Sequence, residues 1–313
     1  MKTTTAFAVF SLALCCASVA YADTFGSGSN TFDIDFITIG NPGNADDPDD
    51  GDSDSPGIQN FGSVDYIYRI GQFEISEDMI DKANTLGGLS ITHDGRGANK
   101  PATSITWFEA AKFVNWLNGN TPAYKFDGGG NFQLWQSGDA GYNPNNLYRN
   151  SLATYFLPSV DEWYKAAYYD PTAGLYYDYA TGSDTVPTAV ASGTATGTAV
   201  YDQSFATGPA DITLAGGLSP YGTMGQSGNA WESEETSFDL TNNGTLIDRG
   251  FRGGGWSFNA ANQRKSTRGG RLPSFHNSDR SFRVASVIPE PSSLLLGALA
   301  SMGMMLRRRC SAI

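Results

Sequence analysis

Apolar and polar residues alternate along Phe32-Asp33-Ile34-Asp35-Phe36-Ile37-Thr38-Ile39. A period of two predicts a strand with one buried face. Val64, Tyr66, Tyr68 and Ile70 repeat the alternation and predict a second strand. Then the period changes. Ser76 is placed to cap a helix starting at Glu77, with Met79, Ile80 and Ala83 on its apolar face. Pro101 to Asn118 reads as a stronger helix. Trp107, Ala110, Val114 and Leu117 keep the helical period, and Thr106 with Glu109 forms a capping box. Leu157 to Tyr169 repeats that design with Ser159 and Glu162. From Asp170 to Pro220 periodicity fades into Gly, Thr and Ala, which predicts long loops with short strands. Loops of that length need something to pin them, and a metal ion is the natural candidate.

The ends carry a different pattern. Lys2, an apolar run from Ala6 to Val19, and Ala20-Tyr21-Ala22 predict a secretory signal over 1–22, cut by signal peptidase before Asp23. At the other end, Pro289-Glu290-Pro291 precedes an apolar run to Leu306 and then Arg307-Arg308-Arg309. A helix of that length spans about 22 Å, short of the ~30 Å hydrocarbon core. A removable signal with transient membrane association suits it better than a permanent anchor. The pattern resembles the PEP-CTERM sorting signal, which implies exosortase processing in a Gram-negative bacterium.

Composition narrows the chemistry. Cysteine occurs only at positions 15, 16 and 310, inside the two end segments. The chain between them has no disulfide, cysteine zinc site or thiol nucleophile. Removing both ends leaves 16 basic and 31 acidic residues, a net charge of −15. Such a surface repels phosphate backbones, so nucleic acid is not an expected partner. Acidic residues crowd Asn44 to Asp54. Asp50-Gly51-Asp52-Ser53-Asp54 suggests a calcium loop, but the closing Glu of an EF-hand is replaced by Phe61, so a solvated loop is expected. His93 and His276 stand apart and do not make an iron site with their neighbouring carboxylates.

Three clusters follow in order near the C-terminal end: Gly228-Asn229-Ala230-Trp231-Glu232, Arg252-Gly253-Gly254-Gly255-Trp256 and Ser281-Phe282-Arg283. Upstream stand Pro101 to Trp107 with Ala110, Phe113 and Trp116, and Leu157-Pro158-Ser159-Val160-Asp161-Glu162-Trp163. Together they resemble the formylglycine-generating enzyme, or sulfatase-modifying-factor, family. The resemblance implies an α+β domain over 61–286 with an irregular, C-type-lectin-like architecture: short twisted sheets, two main helices and long loops. A strand and acidic loop over 23–60 precede it, and the sorting signal fills 287–313.

What the resemblance implies for the site is mixed. Known members bind copper and oxidise a substrate cysteine through two cysteines after the Gly-Gly-x-Trp block. Those positions fall on Phe258 and Gln263, so copper and that oxidation are not expected. A calcium site implied by the family would use the carbonyls of Gly225, Gly228 and Ala230 and the carboxylate of Glu232. Glu232 has a second reading, as the ion-pair partner of Arg252 or Arg283. The family's other calcium site would fall near Val200 and Asp211 to Thr213. Thr154 stands where the family usually carries an arginine. Trp256, Arg268, Arg271 and Arg283 are candidates for a pocket that takes a carboxylate or sulfate. Two functions are compatible with these features. One is a non-catalytic binding or structural module for glycan or protein, at the cell surface or in its exopolysaccharide matrix. The other is an enzyme of a divergent branch with a non-cysteine site.

Overall fold

The computed structural model describes residues 20–49 and 60–288. The apolar part of the signal peptide, the second half of the acidic loop and the sorting signal from Pro289 onward lie outside the described residues. The first strands are β1 (Ala20–Phe25), β2 (Phe32–Ile39) and β3 (Tyr68–Gly71). Helices α1 (Glu77–Gly87) and α2 (Trp107–Leu117) follow. Then come short strands β4 (Lys125–Phe126), β5 (Phe132–Gln133) and β6 (Tyr155–Phe156), and helix α3 (Val160–Tyr168). The loop region carries β7 (Tyr169–Asp170), β8 (Leu175–Tyr176), β9 (Thr188–Ala189) and β10 (Thr198–Ala199). The last strands are β11 (Trp231–Ser237), β12 (Arg249–Arg252), β13 (Gly269–Arg271), β14 (Arg280–Ser281) and β15 (Ala285–Val287).

The class is α+β, with short sheets and long loops. Among the described residues three α-helices form, the two main ones and the expected helix from Glu77, which equals α2 in length. Every predicted cap is present. The Ser76 hydroxyl accepts from the Met79 amide, and both capping boxes close. The helix expected from Pro101 begins at Trp107, one residue past its cap Thr106. The second predicted strand is shorter than its alternation. It starts at Tyr68 because its partners end there: Ile39 of β2 and Val287 of β15 both pair with Tyr68.

A five-stranded antiparallel sheet runs in the order β1-β2-β3-β15-β6. Phe36, Ile39, Tyr68 and Ile70 leave it for a core completed by Phe113 and Val114 of α2 and by Phe282 and Val284. Burying these apolar side chains is the main force holding sheet to helix. A second sheet, β13-β12-β11-β14, holds the Gly-rich and Arg-rich clusters. The end of the described chain sits in the middle of the first sheet. Val287 of β15 is bonded there, and a single residue, Ile288, precedes Pro289. β1 straddles the predicted signal cut: Tyr21 and Ala22 precede it, and Asp23 follows it in an ion pair with Arg69. Tyr21, Asp23, Arg69 and Ile288 line one cleft of about 390 Å³, so both ends of the described chain lie together.

The long loop between β7 and Pro220 is pinned by main-chain hydrogen bonds. Asp202 and Gln203 donate to the carbonyls of Phe258 and Trp256, and Ile212 donates to that of Asn99. Ala210 donates to the Asn229 side chain.

Candidate functional site

β11 carries Trp231-Glu232-Ser233-Glu234-Glu235, and every residue of the strand is buried. Three carboxylates out of water would be prohibitive if unpaired, because burial favours their neutral forms. Each has an arginine. Glu232 and Arg283 meet in a bidentate pair. The Arg283 guanidinium also donates to the carbonyls of Gly71 at 2.9 Å and Met224 at 2.8 Å. Glu234 sits between Arg252, at 3.0 Å, and Arg268, at 2.9 Å. Glu235 accepts from Arg149 at 2.7 Å, Tyr124 at 2.7 Å and Asn146 at 2.6 Å. Arg149 turns its other edge to Glu162, at 2.8 and 2.9 Å. Burial opposes the Arg149 charge, yet Glu162 and Glu235 hold its pKa well above the ordinary value. Burial likewise works against the Glu162 charge, but Arg149 brings that carboxyl below its usual range.

A fifth carboxylate, Glu74, adjoins the network. It accepts from Asn229 Nδ2 at 2.6 Å and from the Ala230 amide at 3.2 Å. Burial, and next the charge of Glu232, raise its pKa well above the carboxylate range. Asn229 is the pivot of the Gly-Asn-Ala turn. Its φ is 61°, its amide donates to Val200, and its carbonyl accepts from Trp256. Gly228 precedes it at φ 114°, with its Cα packed against the Val200 carbonyl.

The predicted calcium ligands meet this geometry directly. Both oxygens of Glu232 accept from Arg283, and Oε2 also accepts from the Trp163 indole at 2.7 Å. A guanidinium already supplies the positive charge there. Calcium held through Glu232 therefore does not fit this arrangement. The carbonyls of Gly225, Gly228 and Ala230 lie along the same turn; Gly225 packs beside the Glu74 carboxylate. Of the two readings of Glu232, the ion pair is the one formed, with Arg283 as partner. Near the other implied site, Val200 is buried and Asp211 pairs with Lys100 at 2.9 Å. Among the described residues no group of three or more His, Cys, Asp or Glu is gathered as for a metal ion. His93 binds Asp81 at 3.0 Å, and His276 is exposed.

The candidate pocket of Trp256, Arg268, Arg271 and Arg283 does not assemble. Arg268 and Arg283 are buried against different carboxylates, Glu234 and Glu232. Trp256 is buried against Val200 and Ala210, with its indole donating to Phe205 at 3.2 Å and Arg96 over its ring. Arg271 is exposed, beside Phe275. Phe258 packs edge-on against Trp231. Gln263 is fully buried, bonded to the Asn259 carbonyl and packed against Gly254. Sequence reasoning passed over Glu74, Glu234, Glu235 and Arg149. A carboxylate inside an otherwise strand-like run was the available signal for Glu234 and Glu235. Arg149 reaches Glu162 from the loop before β6.

The family model for the sulfatase-modifying factor enzyme 1-like domain matches residues 67–288. The chain belongs to that family. The match ends just past β15. The PEP-CTERM protein-sorting motif matches 287–309 and so begins at the last residue of β15. That motif directs exosortase processing and sorting to the membrane or surface in Gram-negative bacteria. No curated protein sequence matches the chain. Several solved structures share the fold, among them the following three. Treponema denticola variable protein 1 aligns over 85% of this chain and 99% of its own, at 19% identity and TM-score 0.59. CarF aligns over 82% and 98%, at 19% identity and TM-score 0.54. PvdO from Pseudomonas aeruginosa aligns over 85% and 98%, at 13% identity and TM-score 0.52. At these identities the likeness is one of fold.

Proposed function

We propose that this sulfatase-modifying-factor domain is a non-catalytic binding module, sorted by exosortase to the cell surface or its exopolysaccharide matrix. One observation carries the reading. Phe258 and Gln263 stand at the positions of the family's two cysteines, and both are packed as structural side chains. The acidic and basic groups around them are spent on one another: Glu232 on Arg283, Glu234 on Arg268 and Arg252. What is left is a packed scaffold with long loops, the arrangement proteins use to present a binding surface.

The test is an oxidation assay with the purified protein, a cysteine-containing peptide, oxygen and added Cu(I). The peptide cysteine should remain unoxidised above the protein-free rate. Copper-dependent turnover would overturn the reading and favour an enzyme with a non-cysteine site. Metal analysis of the same preparation adds a second readout, since stoichiometric copper or iron would also oppose it.

A further inference from the structure

Arg280 opens β14 and reaches across β11 to lie over the Phe251 ring of β12, 3.9 Å from its centre. It is only 7% exposed. The buried arginines 149, 268 and 283 each meet a carboxylate. The Arg280 side chain makes no hydrogen bond or ion pair among the described residues, and its Nε is sealed from water without a partner. Burial pulls its pKa down to about 10; Asp279 and Asp248 offset only part of that, and Arg271 adds to it. A buried charge ordinarily has a partner, so this guanidinium lacks an acceptor that the chain does not supply. Arg249 is also short of acceptors, but Trp107, Tyr148 and Phe132 enclose it in the core, out of reach of a ligand.

Arg280 lies under an exposed patch. The Phe275 ring, 42% exposed, has its centre 5.4 Å from the Arg280 guanidinium and 6.0 Å from that of Arg271. Leu272 is exposed in the same turn, where the Phe275 amide donates to its carbonyl. Arg271 is exposed, bonds the Gly270 carbonyl and makes no ion pair among the described residues. Two arginines without a carboxylate therefore flank one exposed aromatic ring.

A guanidinium presents a planar fork of donors that matches a carboxylate. An aromatic face beside it packs on the apolar face of a saturated ring. Two arginines call for one or two carboxylates, and the acidic balance of the chain repels a denser polyanion such as an acidic peptide. We propose that Arg280 and Arg271, with Phe275, bind a uronate unit of a polysaccharide whose other sugars are neutral. The assignment rests on the binding-module reading and adds its location and ligand class.

Titration calorimetry of the purified protein with a tetramer alternating glucuronate and N-acetylglucosamine tests it. The carboxyl methyl ester of that tetramer and tetraglutamate serve as comparisons. The free tetramer should bind roughly tenfold tighter than its ester. Arg280→Met should weaken binding about tenfold without lowering the melting temperature, since it removes a buried charge that has no carboxylate partner. Arg280→Lys keeps the charge without the fork and should recover only part of that loss. Phe275→Ala and Arg271→Gln, both at exposed positions, should each weaken binding about fivefold with unchanged melting temperature, and they carry the test if Arg280→Met does not fold. Equal binding of the ester, equal or tighter binding of tetraglutamate, or no binding of the free tetramer would each overturn the proposal. Binding untouched by these substitutions would overturn the placement and leave a module that binds elsewhere. Copper-dependent cysteine oxidation, by contrast, would remove the module reading itself.

Discussion

Glu232 and Arg283, 51 positions apart in the chain, meet side-on with neither side chain exposed to solvent. The pair ties the second sheet to the loop after β3 and to Met224, through the carbonyls that Arg283 also binds. Removing one partner strands a charge in the interior. Arg283→Met is expected to cost about 3–5 kcal/mol in urea unfolding. Glu232→Gln with Arg283→Met should recover part of that loss. A single-variant loss below about 1 kcal/mol would show that the pair does not organise this core.

Arg149 serves two carboxylates at once, Glu162 capping α3 and Glu235 of β11. A lysine carries the charge without the planar fork and cannot satisfy both. Arg149→Lys is expected to lower stability by about 2–4 kcal/mol. Calorimetric melting would check it, and a variant that melts with the parent protein would refute it.

Two glycines of positive φ separate steric need from backbone preference. At Gly228, φ 114°, a methyl group would fall 2.3 Å from the Val200 carbonyl oxygen. At Gly88, φ 61°, which ends α1, nothing stands within 4 Å. Gly88→Ala should cost only about 1 kcal/mol, the left-handed penalty. Gly228→Ala should cost clearly more, about 3 kcal/mol or above, since backbone must move. Equal losses in chemical denaturation would contradict the close approach.

Asp161, half-buried on α3, accepts from the Gly62 amide at 2.9 Å. Burial nonetheless pushes its carboxyl up to about 6. The ordinary value is about 3.9. Below about pH 4 the group is protonated in both folded and unfolded states, and its contribution is intact. That contribution is lost as pH rises through about 6, when the folded protein must hold a poorly solvated charge. Asp161→Asn keeps the oxygen that Gly62 binds. Its stability relative to the parent should rise by about 2 kcal/mol between pH 4 and pH 7. A gap that stays constant across that range would rule out Asp161 as the titrating group.

The helix starts were legible because caps are local: Thr106 with Glu109 and Ser159 with Glu162 sit within one turn. The family clusters were legible for the same reason, as short runs of fixed order. Partners were not. Two arginines, Arg252 and Arg283, were candidates for Glu232; the register sets Arg252 opposite it, yet Arg252 turns to Glu234 and Arg283 takes Glu232. Arg268 and Arg271 are three positions apart, yet one is buried on Glu234 and the other is exposed, because they lie on either side of a strand start. The alternation of Val64 to Ile70 marks a face but not where neighbouring strands stop. Asp47 lies in a run that reads as solvated, yet it is buried against Tyr164 and Lys265.

β15 lies between β3 and β6, and Ile288 alone separates it from Pro289. That spacing leaves almost no leash. A grip on Pro289 would hold the domain at its central sheet rather than at the end of a swivelling tether.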